Sequence, residues 1–259
     1  AFGFCLLPLL FGFIVPAGQL ALWSLTVAEQ AYDADFARLV LNSLELAASA
    51  ALLALALALL LAYGKRLVPT RTVSGAVRLA GMGYAVPGTV IAVGVIIPFA
   101  WLDNTLDAWM RASFGISTGL ILSGTLAALL FAYLVRFLAV ALQTVESGLG
   151  KIKPSTDEAG RSLGLKPGQV LGRIHLPMLT GSLLTALLLV FVDVLKELPA
   201  TLILRPFNFN TLAVRAFELA SDERLADSAP AALTIVAAGL IPVILLSRSI
   251  TRSRDADPT

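Results

Sequence analysis

Six apolar runs, each about as long as a helix needs to cross a bilayer, constrain this chain more than any other feature. They cover roughly Phe4–Leu25, Leu39–Tyr63, Leu79–Leu102, Ser117–Val140, Leu179–Leu198 and Ser228–Ser247. About 20 residues rising 1.5 Å each cross the ~30 Å hydrocarbon layer. Backbone polar groups in lipid must be satisfied within the segment, so the runs are expected as helices. They are continuous, not alternating, which excludes the dyad pattern of a transmembrane β-barrel. Composition agrees: 58% of the residues are hydrophobic and 14% charged, where a soluble domain carries about a quarter charged. The expected fold class is an all-α polytopic membrane protein of about six transmembrane helices. The first run contains Pro8 and Pro16 and lacks the basic flank and short cleavable pattern of a secretory signal, so it reads as a true span.

Charge sets the expected orientation. The segments 64–78, 141–178 and 248–259 hold twelve Lys and Arg residues, and the segments 26–38, 103–116 and 199–227 hold five. Basic residues gather on the cytoplasmic side, so the first set, with both ends of the chain, is expected inside. Arg136, in the fourth run, is expected to snorkel to the cytoplasmic face. The lone Cys5 excludes an internal disulfide framework, and the lone His175 excludes a His-rich metal site. No cofactor and no nucleic acid is expected. No segment outside the membrane is large enough for a core of its own.

One long polar segment interrupts this pattern, Pro154–Pro177. Ser155-Thr156-Asp157-Glu158 has capping-box spacing, with Ser155 as the expected cap. Gly164 is placed to end that helix and Pro167 to begin another. Pro177 marks the entry to the fifth span. Two short helices are therefore expected between spans four and five.

The same segment carries a longer pattern: Glu158-Ala159-Gly160, three residues, Gly164, nine residues, then Ile174-His175-Leu176-Pro177. It resembles the EAA loop of bacterial type I ABC-importer permeases, with Gly160 where a second Ala is usual. A Gly at that place costs about 1 kcal/mol in helix propensity but keeps the position small, which leaves room for close packing against a partner. The resemblance implies a type I importer permease fold, with a leading helix and periplasmic loop over 1–38 and the permease core over 39–259. It implies that the loop docks on a cytoplasmic ABC ATPase dimer through Glu158, Ala159, Gly160, Gly164, Ile174, Leu176 and Pro177. It also implies a second permease half, a periplasmic substrate-binding protein and a place in the bacterial inner membrane. Asn42-Ser43-Leu44, Tyr84-Ala85-Val86-Pro87-Gly88, the segment from Lys196 to Phe209, and Glu218-Leu219-Ala220-Ser221-Asp222-Glu223 are similar to ferric-iron permeases. That points to iron as cargo, and to the C-terminal half of a fused permease. Permeases for thiamine, phosphonates and oxyanions share these features at this level.

Ionisable residues inside a membrane mark pathways or structural ion pairs. Glu45, Asp193, Lys196 and Glu197 fall within the runs. Counted from the run ends, Glu45 and Asp193 share a depth roughly 9 Å below the outer surface. One reading is a salt-bridged helix interface centred on Lys196. The other is an acidic vestibule on the translocation pathway, since carboxylate oxygens suit hard cations. Phe207 and Phe209 read as interfacial packing or a periplasmic docking loop. A membrane enzyme needs a nucleophile–base pair or metal site, and His175, the lone histidine, reads as structural. A secondary transporter would leave the docking loop without a purpose. Ser147 to Ile152 lacks the spacing of a phosphate-binding loop, so ATP hydrolysis is expected on a separate subunit.

Overall fold

A computed structural model describes the backbone of residues 2–255. The side chains of Cys5, Arg248, Arg252 and Arg254, used above, lie outside those described. Six helices are long and apolar enough to cross a membrane: α1 (Leu6–Thr26), α2 (Ala34–Leu67), α4 (Gly88–Phe114), α5 (Leu126–Gly150), α7 (Pro167–Leu195) and α10, which runs Leu225–Asp255 with its apolar part at Leu225–Ile244. Between them lie the short helices α3 (Arg71–Ala80), α6 (Pro154–Ser162), α8 (Pro199–Leu204) and α9 (Leu212–Ser221), with single turns at Ala28–Ala31 and Gly83–Ala85. No strand occurs among the described residues.

The core is the three-way packing of α2, α5 and α7. Helix α2 turns a stripe of small residues toward it: Ala47, Ala50, Ala51, Ala54, Ala58 and Ala62 are all buried. That spacing of three and four residues lines one helix face. Small side chains let helices approach closely, which drives association where lipid is as apolar as leucine. Helix α5 meets α7 at Gly148, where a Cβ would stand 2.6 Å from Ser182 Oγ and 2.9 Å from Leu179 Cδ2. Helix α4 rests on α5 and α8, while α1 and α9 flank α10. The large side chains of α1, among them Leu9, Phe11, Phe13 and Ile14, stay exposed, as lipid-facing residues should.

Two prolines shape the spanning helices alike. Pro16 and Pro177 each follow a single widened turn, Leu10–Ile14 and Leu171–His175. A proline cannot donate to the carbonyl four residues back and crowds it. The wider turn shifts bonding to the fifth residue back, as in the Leu176 N–H bond to Leu171 O. Helix α7 is therefore continuous from Pro167, and the expected second short helix is its first turns.

Two expected spans are shifted. The third was expected over Leu79–Leu102, but α4 begins only at Gly88, because Pro87 ends the non-helical stretch behind it. It continues to Phe114, so Asp103 and Asp107 lie on a helix and not in a loop. The fourth was expected over Ser117–Val140, but α5 begins at Leu126. Residues 117–123 form a loop folded over α4: Asp107 accepts from the Thr118 and Gly119 N–H groups, and Asp103 from those of Ile121, Leu122 and Ser123. Gly119 and Gly124 supply positive φ angles of 63° and 75° there. Hydropathy counted Ile116, Leu120, Ile121 and Leu122 as span, while two carboxylates hold their backbone as a turn.

Candidate functional site

The polar segment folds as one short helix, α6, standing across the end of the core. Pro154 occupies its first turn and Lys153 precedes it with no side-chain cap. Ser155 therefore lies inside the helix, not at its cap. The proline, with its fixed φ, starts the helix two residues earlier than the capping-box reading did. Gly164 ends it as expected. At φ +79° it lets the Gly164 N–H reach Arg161 O at 2.9 Å and the Leu165 N–H reach Gly160 O at 3.1 Å, the double bond of a Schellman cap.

The two faces of α6 differ. Glu158, Ala159, Ser162 and Leu163 are exposed, Leu163 at 82%. Gly160 and Asp157 face inward and are buried. A Cβ at Gly160 would meet Val170 Cγ2 at 3.1 Å and Ile174 Cδ1 at 3.3 Å. The small residue thus serves packing within the loop, where the sequence reading had reserved it for a partner. Leu176 is half-buried and Pro177 exposed.

Beneath α6 lies an ion cluster that sequence reading missed. Arg66, at the end of α2, donates to Asp157 Oδ2 from Nε at 2.9 Å and from Nη2 at 2.6 Å. It also donates to the carbonyls of Leu149 and Ile152, at 2.6 and 2.9 Å. Those carbonyls close the end of α5, where a cation complements the helix dipole. His175, fully buried on α7, donates from Nε2 to Asp157 Oδ1 at 2.7 Å. Burial works against ionisation of Asp157, but hydrogen bonds from Arg66 and His175 outweigh it and hold the carboxyl below its usual range. Tyr63 Oη donates to Pro167 O at 2.7 Å, and Lys65 pairs with Glu146 at 2.7 Å. The loop is thus riveted to α2, α5 and α7 together. The structural reading of His175 fits this role. Arg66 had been counted only as a topology charge, and nothing in its spacing to Asp157, 91 residues on, marks the pair.

The intramembrane charges separate into three environments. Glu45 is exposed on α2. Asp193 pairs with Lys196 at 2.9 Å, one turn apart. Glu197 is buried and accepts from Arg136 Nη1 at 3.3 Å, from the Ala200 and Thr201 N–H groups at 3.2 Å each, and from Thr201 Oγ1 at 3.0 Å. Arg136 therefore does not snorkel to a surface. A buried carboxylate in the break between α7 and α8 holds it. The depths also differ from expectation. Lys65 meets Glu146 and Arg136 meets Glu197, so Glu45 lies twenty residues along α2 from one contact and Arg136 ten along α5, a difference of about 15 Å. Glu45 stands level with the start of α5, well away from Glu197 and Asp193.

At the end opposite the loop, a cleft of about 360 Å³ opens between the start of α2, α9 and α10. Arg38, Arg215 and Arg224 line it with Asp33, Asp35 and Asp227; Arg38 pairs with Asp35 at 3.9 Å and Arg224 with Asp227 at 2.8 Å, each pair three residues apart in the chain. Asn208, with φ +65°, and Asn42, donating to Asn210 O at 3.1 Å, complete the wall. Phe207 is 94% exposed beside it, while Phe209 packs on the core. Among the described residues, no group of three or more His, Cys, Asp or Glu side chains is placed to hold a metal ion.

Comparison with known proteins gives this geometry a family. A chain model described as the binding-protein-dependent transport system inner membrane component matches residues 54–256. The Fe(3+)-transport system permease protein FbpB 2 of Haemophilus influenzae is 30% identical over 171 residues, covering 66% of this chain and 31% of that protein. The putative 2-aminoethylphosphonate transport system permease protein PhnV of Salmonella typhimurium is 27% identical over 168 residues, covering 65% of this chain and 57% of that protein. The chain thus aligns with less than two thirds of either relative. In structure it is similar to a chain of a bacterial ABC transporter involved in import of the acidic polysaccharide alginate, with a TM-score of 0.74, 14% identity, and 96% and 92% of the two chains covered. The same transporter bound to its alginate-loaded periplasmic protein gives a TM-score of 0.71 at 15% identity, covering 95% of this chain and 93% of that one. Six spanning helices and the match over residues 54–256 lead to one assignment: the chain belongs to the family of inner-membrane permease components of binding-protein-dependent ABC importers, and is a type I transport permease and not an enzyme.

Proposed function

We propose that α6 is the element through which a separate cytoplasmic ATPase drives this permease, and that the cargo is ferric iron moving inward. The observation that carries the coupling role is the division of α6 into an exposed Glu158–Ala159–Leu163 surface and a buried Asp157 root. Such a helix offers a partner one acidic hydrogen-bond acceptor and one apolar side chain. A load on that surface passes through Asp157 and Arg66 to α2 and through His175 to α7, so the helix moves with the core as a rigid body. The basic residues at this end support its cytoplasmic placement. The opposite cleft then faces the periplasm, where a substrate-binding protein delivers cargo. A second permease half, in the same polypeptide or another, completes the path. Iron rests on the 30% identity to FbpB 2. Phosphonate is the second reading, favoured by the match to PhnV.

The test is Glu158→Lys in the complete transporter, reconstituted in proteoliposomes. ATP hydrolysis is expected to continue while uptake falls at least tenfold, with the chain still inserted. Normal uptake by this variant would reduce α6 to a connector.

A further inference from the structure

The charged centre formed by Arg136 and Glu197 has unused capacity of one sign only. Arg136 lies about 15 Å from the start of α5, near the middle of the hydrocarbon layer. Each oxygen of Glu197 accepts two hydrogen bonds, from Arg136 and Ala200 on Oε1 and from Thr201 twice on Oε2. A carboxylate has about four acceptor positions, so this one is filled. Its side chain is 2% exposed. The guanidinium is the opposite case. It carries five N–H donors and gives one hydrogen bond among the described residues, at 3.3 Å to Glu197. Its Nε is buried with no partner. The Arg136 side chain is 23% exposed, against 2% for that of Glu197. Phe137, with its ring centre 5.6 Å from the guanidinium carbon, supports it without using an N–H.

The surroundings keep the arginine reachable. Gly88 lies directly against the pair: a Cβ there would stand 2.0 Å from Arg136 Nη1 and 2.7 Å from Glu197 Oε1. The backbone therefore comes close where a side chain would cover the guanidinium. A break between helices on each side brings these parts together, at Gly81–Pro87 before α4 and at Lys196–Leu198 before α8.

From this imbalance we infer that Arg136 is a mid-membrane binding residue for an anionic oxygen group on the cargo, and that Glu197 is its positioning residue and not a metal ligand. An unfilled guanidinium in low dielectric pairs strongly with a carboxylate, phosphonate or similar oxyanion. A filled carboxylate has no lone pair to give a bare cation. Both a phosphonate and an anionic ferric chelate present the required oxygens; an uncomplexed ferric ion does not. The inference rests on the permease reading above and specifies the chemistry of what passes.

The experiment uses the complete transporter in proteoliposomes, with ferric citrate and 2-aminoethylphosphonate as two separately labelled probes. Wild type, Arg136→Lys, Arg136→Gln and the charge-balanced double variant Arg136→Gln with Glu197→Gln are compared for uptake and for ATP hydrolysis. The double variant leaves no buried lone charge, which guards against misfolding from an unpaired Glu197. Expected is at least a tenfold loss of uptake in Arg136→Gln and in the double variant, partial uptake in Arg136→Lys, and hydrolysis within twofold of wild type. Which probe wild type moves identifies the source of the anionic group. Full uptake by the double variant overturns the assignment. So does loss of hydrolysis alongside uptake, since that places Arg136 in the fold and not at the cargo. A wild-type complex with no ATP-dependent uptake of either probe would defeat the cargo reading proposed above, and the inference with it.

Discussion

Taking the carboxylate from Asp157 would leave the Arg66 guanidinium and the His175 ring, both shielded from water, without their shared acceptor. Removing one partner of a buried ion pair costs about 3–5 kcal/mol, so Asp157→Asn should lower the melting temperature of the purified protein by several degrees at pH 7. Acidity should mimic it. The folded-state pKa of Asp157 is depressed, so its contribution is complete above the unfolded value of about 4 and is lost as pH falls through the folded value. Melting curves between about pH 3 and pH 7 should therefore fall more steeply in acid for wild type than for Asp157→Asn; parallel curves would remove the rivet. Gly88 makes a second case at this scale. A methyl group there would stand 2.0 Å from Arg136 Nη1, so Gly88→Ala should displace the guanidinium and cut uptake more than it cuts expression. Uptake and membrane abundance, measured side by side, decide it. Neither residue was legible as functional from sequence. Asp157 read as part of a helix cap and Gly88 as one letter of a motif, because their partners come from distant helices. Gly164 was legible as the end of its helix, since its positive φ acts locally, and the exposure of Glu158 is compatible with the docking role proposed for it.

The elements follow from the pattern of small and apolar residues, with exceptions that have local causes. The alanine stripe of α2 is the seam of the core, and Ala51 and Ala58 on it are fully buried. Ala51→Leu should overpack that seam at about 1–3 kcal/mol, while Leu60→Ala, on the lipid side at 66% exposure, should change little. Thermal unfolding of the two variants checks this, and an equal loss in both would mean the seam is misplaced. Hydropathy located six spans but misjudged the ends of the third and fourth. It sums side chains and does not register that Pro87 stops a helix, or that Asp103 can collect the N–H groups of a loop as apolar as Ile121-Leu122. It likewise divided α7 at Pro177, where a single widened turn carries the helix through.

At the scale of the whole molecule, the three-helix core links two ends that differ in kind. One end is a closed, ion-paired platform bearing α6; the other is an open cleft of mixed charge. The middle holds a buried pair whose spare hydrogen-bonding capacity is cationic. The family was legible from a motif whose spacing is local to one loop, Glu158-Ala159-Gly160 through Gly164 to Ile174-His175-Leu176-Pro177. The sign of the mid-membrane site was not, because it depends on which lone pairs of Glu197 are already filled. The measurement that tests the central claim most directly is cross-linking at the exposed tip of α6. Leu163→Cys, on a background with Cys5→Ser, is to be combined with single cysteines along the surface of the ATPase subunit in membranes containing the whole transporter. The coupling account predicts a disulfide between Leu163→Cys and the ATPase that blocks uptake and is reversed by reduction. Labelling of Leu163→Cys by an impermeant thiol reagent from the periplasmic side, with no cross-link to the ATPase, would contradict it.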